Sequence, residues 1–200
     1  MNLKSEFNKN LNVPNVLSVI RLLLVPAYLI YFSNGHKYTA LMIFVIASIT
    51  DFIDGYIARK YKLITNFGKL MDPLADKIMV LSAMFSMAIG NSLITPVIPW
   101  TVVIILLIKE LVLVVGGGYL LKKGYVAYSF FIGKIAHCFF IAGLILSYFH
   151  DYFQESFANW FLTPDLIILW IAVILTLCAL ACYVRNAINE LHRIKKESAK

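Results

Sequence analysis

Four aspartates stand where the surrounding chain is apolar. Asp51 and Asp54 lie three residues apart near the end of one apolar run, and Asp72 and Asp76 four apart at the start of the next. Spacings of three and four put each pair on one helix face. Asp72 precedes Pro73, which predicts an N-cap followed by proline at the first helical position. A short connection joins the two runs, so antiparallel neighbouring helices are expected, with four carboxylates gathered just below one membrane surface. Such a group cannot stay fully ionised in a low-dielectric setting without counter-charge. Lys77 and Arg59 could neutralise part of it. One or two hard divalent cations with oxygen ligands would neutralise the rest, Mg²⁺ before Mn²⁺. No histidine or cysteine is near, which argues against zinc. Mg²⁺ usually shares its ligands with substrate phosphates, so a phosphorylated ligand is implied. The plainer alternative is that Asp72 only caps a helix and the others pair with lysine and arginine.

The composition says what must position these acids. Of 200 residues, 60% are apolar and 14% charged, and the mean hydropathy is +0.79. Soluble domains are roughly 45–50% apolar and about 25% charged, so an integral membrane protein is expected. A net charge of +7 would suggest nucleic acid in a soluble chain. Here the basic residues mark the cytoplasmic side, and no aromatic-basic platform for nucleic acid occurs. Cys138, Cys178 and Cys182 lie in apolar runs without metal-ligand spacing and read as small packing residues. The first apolar run is long enough to span, and no small-residue cleavage site follows it, so a cleavable signal peptide is not expected.

The fold class predicted is an all-α integral membrane bundle of six transmembrane helices in a single domain. Residues 1–13 form a short interfacial amphipathic lead, 14–188 the bundle and 189–200 a basic tail. The spans fall near 15–33, 39–59, 73–90, 95–121, 127–149 and 165–188, all helical because a span must satisfy its backbone internally. Twelve of the 18 basic residues fall on one side of this arrangement, Lys37 alone on the other, and five within spans: Arg21, Lys77, Lys109, Lys134 and Arg185. Both termini are therefore expected in the cytoplasm, in a multi-pass protein of the cell's inner membrane. Charges inside spans cost about 2.5–3.5 kcal/mol each on the insertion scale and by default mark function.

Written out, the acidic stretch is Asp51-x2-Asp54-Gly55-x2-Ala58-Arg59-x8-Gly68-x3-Asp72-x3-Asp76. It resembles the signature of the CDP-alcohol phosphotransferase family, with every fixed position filled. The opening Pro14-Asn15-x2-Ser18-x2-Arg21 is similar to that family's first helix. Within the family the chain looks most like the bacterial enzymes that move a phosphatidyl group from CDP-diacylglycerol to glycerol 3-phosphate. The resemblance implies that Asp51, Asp54, Asp72 and Asp76 are ligands to two metal ions, with Asp76 also the general base. It implies that Asn15, Ser18, Arg21, Gly55, Ala58, Arg59 and Thr65 surround CDP-diacylglycerol. Gly68 stands in the same motif, although it reads more naturally as ending or turning the connection. The chemistry suits these roles. Gly55 lacks a Cβ and lets a nucleotide approach, Ala58 keeps the groove open one turn on, and Arg59 offers a planar fork to phosphate. Close helix packing is the alternative for Gly55 and Ala58.

The reaction implied is in-line attack by the acceptor hydroxyl at the β-phosphorus, with CMP leaving. An acceptor phosphate needs its own cations. Lys109, Lys134 and Arg185 are unassigned and could face one cavity, particularly if Gly116-Gly117-Gly118 ends or bends the fourth span. Snorkelling, or pairing of Lys109 with Glu110, is the alternative. His137 lies one turn from Lys134 and could reach the same cavity, although a lone histidine on an apolar helix is ordinarily packed and hydrogen-bonded. Related synthases often carry Arg-Glu in place of Lys109-Glu110 and threonine in place of His137. Other acceptors, phosphatidylglycerol or inositol phosphate, use the same chemistry. A cation channel or transporter would need acids across the whole bilayer, and spans one and six supply none. The family implies a homodimer embedded among bilayer lipids. Ser82, Ala83, Met84, Met87 and Ala88 could pack between protomers or within one.

Overall fold

The computed structural model describes residues 13–60, 66–122, 131–157, 159 and 161–197, with side chains over most of them. Among these the chain is all helix, in seven elements. They are α1 Val13–Ser33, α2 Lys37–Lys60, α3 Asn66–Ile89, α4 Trp100–Lys122, α5 Phe131–Ser147, α6 His150–Ser156 and α7 Pro164–Glu197. Residues 1–12 of the expected interfacial lead lie outside the described residues. Among the described residues, three helices are long and apolar enough to cross a membrane: α1, α4 and α7. The bent pair α5–α6 makes a fourth if it is one span. In α2 the described side chains form an apolar stretch over Lys37–Thr50.

The chain divides after Val97 into two compact units. In the first, α1 packs against both α2 and α3, which also touch each other. Each contributes a stripe at spacings of three or four, the pattern of one helix face turned to its neighbours. On α1 the stripe is Ser18, Arg21, Val25, Tyr28 and Phe32; on α2 it is Ala40, Phe44 and Ala47; on α3 it is Met79, Ala83 and Met87, all buried. Ala83, Met84, Met87 and Ala88 are thus spent on packing inside one chain, which settles the alternative left open for them. Ser82 is half-buried beside them.

Two turns fix which ends meet. Asn34–His36 reverse the chain between α1 and α2 through Gly35 at φ +81°. After α3, Gly90 adopts φ +66°, where only glycine is comfortable. A Cβ there would also lie 2.6 Å from the Ile94 carbonyl oxygen. Next to it, Asn91 Oδ1 accepts from the backbone N–H groups of Leu93 (2.8 Å) and Ile94 (2.7 Å), and its Nδ2 donates to the Phe32 carbonyl at 2.8 Å. The C-terminal ends of α1 and α3 are therefore tied together, beside the start of α2. The other end of the unit holds the start of α1, the end of α2 and the start of α3.

In the second unit α7 is the central element, packed on α5, α4 and α6. Gly133 faces Ala179, and Gly143 faces Leu169 at under 3 Å for a built Cβ. Ten residues back along α5 match ten forward along α7, so the two are antiparallel. Small residues at the seam permit this close approach.

Several expected boundaries moved. The third helix starts at Asn66 rather than near residue 73, so Asp72 is not an N-cap and Pro73 is not at the first helical position. Both sit within the second turn, where Pro73 forfeits only one bond close to the helix start. Gly68 accordingly lies in the first helical turn and does not end the connection. The fourth helix starts late, at Trp100, after Pro96 and Pro99, and runs through Gly116–Gly118 to Lys122; the glycines do not end it. The fifth stops at Ser147 and turns by 76° into α6. The last continues to Glu197, so most of the expected basic tail prolongs the helix. Cys138 and Cys178 are exposed rather than packed.

Candidate active site

The three stripes of the first unit change character at the same end. On α1, apolar Val25, Tyr28 and Phe32 give way to Ser18 and Arg21, each only 1% exposed. On α2, the register of Ala40, Phe44 and Ala47 runs on through positions 51, 54 and 58. On α3, the register of Met79 and Ala83 runs back one heptad to positions 72 and 76. Asp76 is half-buried and Lys77 exposed. On α3 the buried stripe itself reaches Ala75, with Asp76 beside it, and by chain order the four aspartates belong to the end of the unit where α1 buries its arginine. Asn15 lies in the first turn of α1 and Gly55, Ala58 and Arg59 in the last turns of α2. The side chains of Asn15, Asp51, Asp54, Arg59 and Asp72 are outside the described residues, as is Thr65 altogether.

Four carboxylate positions with an all-oxygen donor set suit a hard divalent cation. By contrast, the groove of about 680 Å³ between α1 and α3 is apolar. It is lined by residues such as Leu29, Phe32, Ile78, Leu81 and Phe85, lies toward the Asn91 end and carries no acid.

The basic residues expected at the acceptor lie on three helices of the second unit. Lys109 on α4 forms an ion pair with Glu110, Nζ to Oε1 at 2.6 Å, with side chains 24% and 32% exposed. Lys134 on α5 and Arg185 on α7 are exposed. His137 is exposed too, on the same face of α5 as Lys134, so the packed histidine expected there is not found. Sequence reasoning missed the other polar features of this unit, the His150–Asp165 contact and the buried hydroxyl of Tyr183. For neither did spacing alone give a signal, because each contact joins residues on different helices.

Fold and sequence together define a helical membrane protein with an acid-rich motif toward one end of a three-helix unit. Comparison with known proteins narrows this. Residues 11–178 match the family model of the CDP-alcohol phosphatidyltransferases, and the chain belongs to that family. A CDP-diacylglycerol–glycerol-3-phosphate 3-phosphatidyltransferase of Rickettsia typhi is 52% identical over 73 residues, 34% of this chain and 40% of the relative. A probable phosphatidylglycerophosphate synthase of Mycobacterium tuberculosis is 37% identical over 106 residues, 50% of this chain and 48% of the relative. A relative from Aquifex aeolicus, bearing the same name as the Rickettsia protein, is 31% identical over 136 residues, 68% of this chain and 74% of its own. The chain thus spans less than half the length of the Rickettsia and Mycobacterium relatives. The family is generally dependent on divalent metal.

Proposed function

We propose that this chain transfers a phosphatidyl group from CDP-diacylglycerol to glycerol 3-phosphate, releasing CMP and forming phosphatidylglycerophosphate. What supports this reading is the acidic motif carried by the end of α2 and the start of α3, at the end of the unit where Ser18 and Arg21 of α1 are buried. The names of the relatives supply the acceptor. Asp51, Asp54, Asp72 and Asp76 would hold Mg²⁺, or Mn²⁺, as two ions. When bound, the metal supplies charge neutralisation at the pyrophosphate.

The chain's own groups do the rest. Asn15, Ser18, Arg21, Gly55, Ala58, Arg59, Thr65 and Gly68 form the CDP-diacylglycerol site. Asp76 accepts the proton of the attacking acceptor hydroxyl; its oxygen bonds to the β-phosphorus as the bond to the CMP oxygen breaks. A base among metal-binding neighbours titrates with them as a group. Lys109, Lys134, Arg185 and His137 serve the acceptor phosphate, with lysine acting as a point charge. Lys109 must then exchange or share its Glu110 partner. In this reading the chain crosses the inner membrane six times, with both termini and the acidic end facing the cytoplasm. A homodimer would use surfaces other than the buried Ala83–Met87 stripe.

The test is CMP release by purified protein given CDP-diacylglycerol, Mg²⁺ and one acceptor at a time. Release that depends on glycerol 3-phosphate is the expected result. Dependence on phosphatidylglycerol or inositol phosphate instead would replace the acceptor while keeping the chemistry. No release with any acceptor would end the reading.

A further inference from the structure

The corner after α5 carries an exposed aromatic face. α6 has seven residues and buries none of them. A helix of two turns is marginal in water by itself, so an apolar medium along one side would favour it. The spacing shows which side. Tyr152, Phe153 and Phe157 follow Phe149 at three, four and eight residues, which is one helix face. Phe149 is 38% exposed and Tyr152 65%. The rings run together: those of Tyr152 and Phe153 meet edge-on with centroids 6.0 Å apart, and those of Phe153 and Phe157 stand at 6.4 Å. Asp151 and Glu155, one turn apart and both exposed, mark the opposite face.

Two further relations give direction and depth. α6 turns by 76° from α5. Membrane spans tilt by about 20° on average, so α6 runs within roughly 35° of the membrane plane. At its start, His150 Nδ1 lies 2.9 Å from Asp165 Oδ2, in the first turn of α7. The apolar span of α7 begins there, at Pro164. The start of α6 is therefore level with the end of a span, neither deep among acyl chains nor out in water. α5 itself has 17 residues, within the range of about 17–25 that crosses a bilayer unaided. Short amphipathic helices at this level set their rings at the headgroup boundary and keep the polar face wet. No lysine or arginine occurs between Lys134 and Arg185, so attraction to anionic headgroups plays no part.

We propose that α6 lies along the membrane–water interface, with its aromatic face against lipid and Asp151 and Glu155 in water. α5 then crosses alone, and α5 with α6 is not one bent span. The partner is the lipid surface where α5 ends and α7 begins, whichever reaction the chain catalyses.

The test is the labelling rate of single added cysteines by a charged maleimide that does not cross lipid. The full chain is held one copy per disc in phosphatidylcholine nanodiscs, and the wild type measures the background from Cys138, Cys178 and Cys182. Asp151→Cys and Glu155→Cys should label at least roughly tenfold faster than Tyr152→Cys and Phe153→Cys, because the reaction needs a thiolate in contact with water. Unfolding in SDS should bring all four to one rate. Tyr152 is so exposed that its substitution leaves the packing intact, so it decides the matter if Phe153→Cys fails to fold. Equally fast labelling of both faces would overturn the proposal by putting α6 in water. Equally slow labelling would overturn it by carrying α6 into the bilayer as part of one bent span. Shelter of Tyr152→Cys found only with two copies per disc would assign the face to a second protomer and overturn it too.

Discussion

His150 Nδ1 lies 2.9 Å from Asp165 Oδ2, with Thr163 Oγ1 at 3.4 Å from the same nitrogen. The contact fastens the corner between α5 and α6 to the first turn of α7. Asp165 is fully buried and stands in the first turn of α7. Close by, α6 and the segment after it present exposed aromatics, Tyr152 and Phe161 among them, which suits a membrane–water interface.

That contact predicts the cost of losing it. His150→Ala leaves a buried Asp165 oxygen without its ring partner, a change worth about 1–3 kcal/mol for a buried polar group left unsatisfied. The unfolding midpoint of the purified protein should drop by several degrees. His150→Ala with a wild-type midpoint would show that the contact does not hold the corner.

The α5–α7 seam predicts a steric effect. A Cβ at Gly143 would sit 2.9 Å from two side-chain atoms of Leu169 and 3.2 Å from its backbone nitrogen. Gly143→Ala should destabilise by about 1–3 kcal/mol, as overpacking does. Leu169→Ala should recover only part of this, since the backbone atom stays. Equilibrium unfolding of both single variants and the double variant measures the coupling; strict additivity would contradict close contact.

The Gly90–Asn91 turn predicts a stability loss of a different origin. Gly90→Ala meets backbone atoms at 2.6 and 2.8 Å in a positive-φ conformation, so no side chain can yield. Asn91→Ala removes acceptors from two N–H groups and the bond to Phe32. Each should cost about 1–3 kcal/mol, read as a lower unfolding midpoint. The acids lie at the opposite end of the unit, so activity per folded molecule should persist. Loss of activity at full stability would show that the turn serves the chemistry directly.

The acidic end predicts separable losses. Asp76→Asn should lower CMP release by at least the 10²–10⁴-fold typical of general-base removal while CDP-diacylglycerol binding largely survives. Asp51→Asn, Asp54→Asn and Asp72→Asn should instead raise the Mg²⁺ concentration needed for activity. Chelation with EDTA should silence the wild-type protein and added Mg²⁺ restore it. Full turnover by Asp76→Asn would end its assignment as the base.

The sequence by itself determined the chemistry and the class of fold. Acid spacing of three and four, small Gly55 and Ala58, and apolar runs are local properties, and a helix turns them into faces whatever surrounds it. Tertiary structure decided what those faces meet. Pro73 and Gly116–Gly118 look like boundaries in isolation, yet helix runs through all of them, because packing overrides propensities of this size. The inward turn of Ala83 and Met87, the 76° corner after Ser147, and the buried hydroxyl of Tyr183 depend on contacts between distant segments. So does the tie between the C-terminal ends of α1 and α3 that Asn91 makes. No local pattern encodes such contacts, since each is set by which helix happens to lie opposite.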